Sequence, residues 1–352
     1  MSDRHPVAVL GGTGYVAGEF MRLIAGHPRL DLVAVSSDSR AGQPIGATFP
    51  NLASAWPNAR FCDEAALEAA VGDGRVRALF CAAPHGAAAA RVDALLGIAA
   101  RAGAKLTVVD ASADFRFRDA AAYEAVYGHP HPCPGRLGEF ASALPEHVAG
   151  CPAPHVGHPG CFVTSVLLGI VPLLAAGLAA PEFFVSAVTG STGVGRKLGE
   201  TTHHPERHGN MFAYQPLVHR HRPEIEQLAA EAAAPCSVHF VPHSGAWARG
   251  IHATIHGRLA VPANAAELRA TLADAYAGSP FVEVMDAPPR IKDVTGSNRA
   301  RLAVATDGDA FVVMSVIDNL VKGAAGGALQ WMNRLLELPE DAGLRQPGPA
   351  WT

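Results

Sequence analysis

"VAVLGGTGYVAGEFMRLI", Val7 to Ile24, starts as an apolar run, breaks into glycines and resumes with helical spacing. Val7 to Leu10 reads as a short buried strand. Phe20, Met21, Leu23 and Ile24 then mark one face of a helix that ends near Gly26. "LDLVAVSS" (30–37) supplies a second strand and completes a βαβ unit. In that context Gly12-x-Gly14-x-x-Ala17 fits the turn whose backbone N–H groups and helix N-terminus face a pyrophosphate. The candidate cofactor residues of this turn are Gly11, Gly12, Thr13, Gly14, Tyr15 and Val16. After the second strand, Ser36, Ser37 and Arg40 offer hydroxyls and a cation suited to a 2′-phosphate. NADP(H) is therefore expected over NAD, with Asp38 as the one opposing residue.

Further along, "VRALFCAAPHG" (76–86) reads as strand and turn, "AAAARVDALLGIAARAG" (87–103) as helix, and "KLTVVDASADF" (105–115) as strand and loop. This alternation predicts an α/β fold with an N-terminal doubly wound parallel (Rossmann) sheet. From about residue 115 to 155 the composition turns to Pro, Gly and His, as in "YGHPHPCPGRLGEF" (127–140), the texture of an irregular connection, which places a domain boundary near residue 155. Beyond it, "EFFVSAVTGSTG" (182–193), "CSVHFVPHS" (236–244), "GIHATIHGRLAV" (250–261) and "AFVVMSVIDNL" (310–320) read as strands. They suggest a second, α+β domain over 156–320 with a mostly antiparallel sheet. A last helix from about 321 to 336 is expected to return to the first domain, so that 321–352 completes 1–155.

The chain of 352 residues is long enough for two cores. Its net charge of -4 and 17% charged residues favour neither nucleic acid nor an anionic membrane as partner. The N-terminus has no apolar signal core, and the apolar runs are shorter than a membrane span, so a cytoplasmic location is expected. Six scattered cysteines without C-x-x-C pairs read as reduced thiols.

"GHPGCFVTSVLLGIVPLL" (157–174) puts Cys161 in the first turn of a buried helix, behind a Pro-Gly turn. A thiol there is eased towards thiolate by the helix N-terminus, and beside a nicotinamide it can form a thioester. The competing reading is a small buried residue at a helix start. "VHRHRPEIEQ" (218–227) supplies His219 and His221 as candidate bases. The same pair could bind a metal, as could His203, His204 and His208, but no zinc-ligand spacing is present and no metal is expected. Arg116 in "SADFRF" could clamp a substrate phosphate or carboxylate, or be a solvated surface residue.

Eight segments in order carry a resemblance: "GGTGYVAGEFMRL", "APHG", "VDASADFRF", "HPGCFVTS", "VHRHRPEIEQ", "WARGIHATIHG", "GSNRA" and "IDNLVKGAAGGALQWMN". Together they resemble the N-acetyl-gamma-glutamyl-phosphate reductases over nearly the whole chain. The resemblance implies that Cys161 attacks a small acyl phosphate, releases phosphate and leaves a thioester, which NADPH reduces to N-acetylglutamate semialdehyde. It implies His221 as general acid/base, with His219 as substrate contact or substitute, and Arg116 and Ser191 as substrate-binding residues. Pro84, Gly190 and Asn319 are implied as cofactor contacts, and the assembly as a homo-oligomer, dimer or tetramer. "THHPERHGNMFAY" (202–214) is similar to relatives that reduce a carrier-bound aminoadipyl phosphate, whereas "HPGCF" is closer to the arginine branch. The net charge of -4 offers no obvious basic surface for an acidic carrier, which favours the acetylglutamyl substrate. An aspartyl phosphate substrate is disfavoured by "HRHRPEIEQ" and "DNLVKGAAGGA".

Overall fold

Val7 through Leu10 are completely buried in the strand His5–Leu10 (β1), as a central parallel strand covered on both faces requires. This is a computed structural model, and it describes residues 4–350. The helix Tyr15–Ala25 (α1) follows, and Leu30–Ser36 (β2) pairs with β1 in parallel. Short helices Ile45–Thr48 (α2) and Glu64–Gly72 (α3) lead to Ala78–Cys81 (β3) on the other side of β1. Ala88–Arg101 (α4) returns the chain to Thr107–Asp110 (β4). The segment expected to be irregular contains a helix, Ala120–Tyr127 (α5), capped by Asp119 and closed by Gly128 at φ +76°. Phe140–Ala141 (β5) and His155–Gly157 (β6) complete an all-parallel sheet of order β2-β1-β3-β4-β6-β5.

The second unit begins with the helix Cys161–Ala175 (α6) and the strand Ala179–Thr189 (β7). His204–Arg207 (α7), Phe212–Ala213 (β8) and His221–Ala232 (α8) precede Ser237–Ser244 (β9) and Ile251–Leu259 (β10). Ala265–Ala275 (α9), Val282–Val284 (β11), Ala300–Asp307 (β12) and Ala310–Ile317 (β13) follow. The sheet order is β11-β12-β13-β10-β7-β9-β8, antiparallel except for the β7–β9 and β11–β12 pairs. β12 was not among the expected strands; its signal was the Asp307-Gly308 turn, with Gly308 at φ +58°, that joins it to β13. Gly169 of α6 packs on Ile255 and Val313, so one face of this sheet carries the helix.

Gly326–Leu335 (α10) belongs to the first unit, where Trp331 donates to the Ala143 carbonyl at 3.0 Å and Asn333 meets His27 at 3.0 Å. The first unit comprises residues up to Pro145, Ala149–His158 and Ala325–Arg345. The second comprises Glu146–Val148, Pro159–Ala324 and, among the described residues, 346–350. The division thus lies three residues beyond the expected 155, and the tail after Arg345 does not stay with the first unit. Gly348 lies so close to Thr295 that a Cβ would come 2.2 Å from its carbonyl oxygen, which fixes the tail to the second unit. Among the described residues no helix is long and apolar enough to cross a membrane.

Within α6, Pro172 has no N–H, so the Leu168 carbonyl four residues earlier lacks its helical donor. The Tyr276 hydroxyl takes that place at 2.8 Å and in turn accepts from His147 Nε2 at 2.9 Å. Burial, helped by Lys322 and opposed by Glu146, lowers the His147 pKa to about 4. Tyr276→Phe should lower stability by about 1–3 kcal/mol, the cost of an unsatisfied buried carbonyl. The same change in a Pro172→Ala background should cost clearly less, because an alanine N–H at that position restores the helical donor; urea denaturation of the four proteins measures both. Folded His147 stays neutral down to about pH 4, whereas an unfolded histidine protonates near ~6.5. Unfolding therefore takes up a proton in that window and stability falls as pH drops through it. His147→Gln should flatten this slope.

Candidate active site

In the first unit the glycines of the turn have separate tasks. Gly11, at φ +79°, lies against the residues before Pro84; a Cβ there would sit 2.6 Å from the Ala83 backbone. Gly12 donates to the Ser36 carbonyl at 2.9 Å, and a Cβ would come 2.2 Å from Val35 Cγ1. Gly14 has open space around it and begins α1 without a side-chain cap, so the first-turn N–H groups at Tyr15 and Val16, next to Thr13, have no capping side chain. These features fit a dinucleotide pyrophosphate. Ser36 is buried, Ser37 lies 3.4 Å from the Ser39 hydroxyl, and exposed Arg40 donates to Gln43 at 3.0 Å.

The loop after β4 is held from within. Burial raises the Asp110 pKa to about 6, against the two donors of Ser112 at 3.0 and 2.7 Å. Burial also acts to raise Asp114, but His85 and the N–H groups of Gly86 and Ala89 outweigh it and leave this carboxyl below the usual range. Arg116 is not a solvated surface residue. It is 7% exposed and donates to the carbonyls of His158 at 2.9 Å and Ala111 at 3.2 Å.

In the second unit Cys161 is the first residue of α6, with Gly160 at the N-cap position. The Gly160 N–H donates to Glu224 Oε1 at 2.8 Å, and Glu224 is completely buried on α8. His221 opens α8 three residues earlier, and a Cβ on Gly160 would lie 2.5 Å from its Nε2. The imidazole therefore rests against the residue that precedes the thiol. His219 sits in the turn before the helix, its ring 4.7 Å from that of His221, and its Nδ1 accepts the His221 N–H at 3.2 Å. Burial, with a contribution from Arg220, lowers the His219 pKa to about 4, so this ring is neutral at physiological pH. The Tyr214 ring packs 5.5 Å from His219. Its phenol is pushed up by burial first and by the charge of Cys161 second. From the other side, Gly323 presses on the thiol residue, and a Cβ there would come 2.6 Å from Cys161 Cβ.

Ser191 and Gly190, implied as substrate and cofactor contacts, lie in a loop whose backbone is bonded to a neighbouring segment. The N–H groups of Gly190, Ser191 and Thr192 donate to the carbonyls of Gly250, Trp247 and Ala248 at 2.9, 2.8 and 3.1 Å. These backbone donors are spent within the fold. Asn319, implied as a cofactor contact, accepts from Gly250 N at 2.8 Å and donates to Thr192 at 3.0 Å, so its amide clamps that same loop. Glu224, Tyr214 and Gly323 escaped the sequence reading. Only Glu224 left a trace, as the residue three after His221 on the helix. The other five thiols are all raised by burial, Cys236 to about 11, and Cys151 is the exposed one. Among the described residues no group of three His, Cys, Asp or Glu is placed to hold a metal ion.

Residues 6–138 match the family model "Semialdehyde dehydrogenase, NAD binding domain", and 161–319 match "Semialdehyde dehydrogenase, dimerisation domain". The N-acetyl-gamma-glutamyl-phosphate reductase of Acidithiobacillus ferrooxidans is 39% identical over 345 residues, covering 96% of this chain and 97% of that protein. The enzyme of the same name from Ectopseudomonas mendocina is 40% identical over 348 residues, with 96% and 97% covered. Among solved structures, aspartate semialdehyde dehydrogenase II of Vibrio cholerae superposes with TM-score 0.67 at 15% identity, covering 96% of this chain and 99% of that one. Aspartate semialdehyde dehydrogenase of Candida albicans, solved with NADP, gives TM-score 0.66 at 16% identity, with 97% and 99% covered. These structural likenesses bear on the fold.

The contact at Gly323 gives a direct test of how the thiol is held. Gly323→Ala should displace Cys161 and change its iodoacetamide labelling rate by about an order of magnitude or more, with Cys151 as the internal reference in peptide mapping. An unchanged Cys161 rate would show that the close packing does not govern the thiol.

Proposed function

Because this chain belongs to the N-acetyl-gamma-glutamyl-phosphate reductase family of semialdehyde dehydrogenases, we propose that it reduces N-acetyl-gamma-glutamyl phosphate to N-acetylglutamate 5-semialdehyde and phosphate. The observation that carries the reading is Cys161 at the first position of α6, next to a glycine that touches His221 Nε2 and is tied to Glu224. The Cys161 sulfur attacks the acyl carbon and expels inorganic phosphate, leaving a thioester. NADPH, held at Gly11 to Val16 and near Ser37 and Arg40, supplies when bound the hydride that takes this thioester to the aldehyde level. His221 holds the proton that passes to the developing oxyanion and takes it back as the carbon–sulfur bond breaks and Cys161 is released. His219, neutral at working pH, positions His221 through its Nδ1 and offers the other ring nitrogen to the substrate. Arg116 anchors the substrate carboxylate.

A homo-oligomer is part of the same proposal. On the face of the second sheet away from α6, Phe184 is 53% exposed, with Val188, Val241 and Met314 half-buried on the same side. A second copy would cover this apolar face, in keeping with the dimerisation domain that this unit matches.

In the reverse direction, N-acetylglutamate semialdehyde, phosphate and NADP should produce NADPH absorbance at a rate well above that with aspartate semialdehyde or a carrier-bound aminoadipate semialdehyde. Faster turnover of the carrier-bound compound would reject the acetylglutamyl substrate. Cys161→Ser should abolish turnover with NADPH binding kept, and His221→Asn should slow it by about 10² to 10⁴. His219→Asn should retain the acid limb of the pH–rate profile, because a group titrating near 4 does not produce a limb above pH 5. Arg116→Leu should mainly raise KM.

A further inference from the structure

At the carboxyl end of β2 the first unit holds an acid and a cation in one pair. Asp38 follows Ser36 and Ser37, the place where a dinucleotide fold presents its ribose-recognising side chain. A free carboxylate there would accept the 2′-hydroxyl of NAD and repel a 2′-phosphate. Asp38 is not free: Arg91, from the first turn of α4, donates to its Oδ2 at 2.8 Å and lies 3.1 Å from Glu64 Oε2. The three side chains are 32% (Arg91), 54% (Asp38) and 37% (Glu64) exposed, so solvent and ligand can reach them. Arg40, on the same short turn as Asp38, is bonded to Gln43.

We propose that Arg91 decides the choice between NADPH and NADH, by masking Asp38 and by supplying, with Arg40, the second cation for the 2′-phosphate. This rests on the dinucleotide reading of the first unit and extends it to a residue that the turn motif does not contain. Only Nη2 of Arg91 is spent on Asp38 and Glu64, so its Nε and Nη1 can turn to a phosphate dianion while Nη2 stays on Asp38 and keeps it masked. A planar guanidinium meets phosphate with two parallel N–H donors, a geometry that lysine lacks. When Arg91 is removed, Asp38 is unmasked, and the site becomes one that accepts a hydroxyl and rejects a phosphate. Glu64 keeps the arginine from leaving the turn when no ligand is bound.

The test uses binding alone. Calorimetry with 2′,5′-ADP and 5′-AMP, and nicotinamide fluorescence with NADPH and NADH, are run on the wild type, Arg91→Met, Arg91→Lys, Asp38→Asn and Arg40→Ala. The wild type should prefer 2′,5′-ADP over 5′-AMP. Arg91→Met should weaken 2′,5′-ADP by about tenfold or more, the scale of one lost charge-assisted contact. It should leave 5′-AMP unchanged and tighten NADH. Asp38→Asn, which deletes the repelling charge and frees Arg91, should strengthen 2′,5′-ADP, and Arg91→Lys should retain part of the preference. An Arg91→Met protein that keeps the wild-type preference, while Arg40→Ala loses it, overturns the proposal and leaves the NADPH reading standing. Equal loss of both adenosine ligands in Arg91→Met also overturns it. A wild type indifferent to the 2′-phosphate overturns the proposal and the NADPH reading together.

Discussion

Asp318 is completely buried and gathers five donors from three separate segments. Arg249 contributes Nε at 3.0 Å and Nη2 at 3.3 Å, Gly296 its N–H at 2.6 Å, and Leu320 and Val321 theirs at 2.8 and 3.0 Å. A carboxylate without water must be satisfied in this way, because an unpaired one is too costly to bury. The consequence is a rigid start for the segment Val321–Ala325, a single π turn in which Gly323 N–H reaches back five residues to the Asp318 carbonyl at 3.0 Å. That turn brings Gly323 against Cys161. Asn319, the next residue after the acid, binds the Gly190–Thr192 loop to Gly250. The buried acid thus fixes the backbone behind the thiol, and its neighbour Asn319 fixes the Gly190–Thr192 loop.

The same π turn carries Lys322, whose ammonium pairs with Glu146, both side chains 1% exposed, and lies 5.5 Å from the Phe281 ring centroid. Removing either charge would strand the other in the interior, which is costlier than the pair is worth as stabilisation. Its value is geometric. Lys322 adjoins Gly323, and Glu146 adjoins His147, which supports Tyr276 and through it the Leu168 carbonyl of α6. The start of α6, packed against Gly323, and its middle, at the Leu168 carbonyl, are thus tied to one buried ion pair.

His219 and His221 differ in environment. Burial keeps His219 neutral, so it can orient its neighbour by accepting an N–H and cannot deliver a second proton at working pH. His221 faces the Gly160 backbone and is the ring next to the thiol residue. The sequence pattern H-x-H alone could not separate them, because it records spacing and leaves out which ring loses its water.

The local elements were legible from the chain. The strand-turn-helix at Val7–Ile24, the helix that begins at Cys161 and the long strands of the second sheet all follow from apolar periodicity and glycine placement, which act over a few residues. β12 and α5 were missed although their turn and cap residues were present, since Asp307-Gly308 and Asp119 are common signals that gain meaning only beside a partner strand or a core. The residues found only in the folded chain share one property: their partners are distant in sequence. Glu224 meets Gly160, 64 residues away, and Arg91 meets Asp38, 53 residues away. Gly190 and Asn319, implied as cofactor contacts by the resemblance, bond to Gly250 and to Gly250 and Thr192, partners that no local reading supplies. Periodicity and turn chemistry set what each segment becomes, whereas which polar groups are spent on one another is decided when the segments pack, because burial makes every unpaired donor or acceptor find a partner.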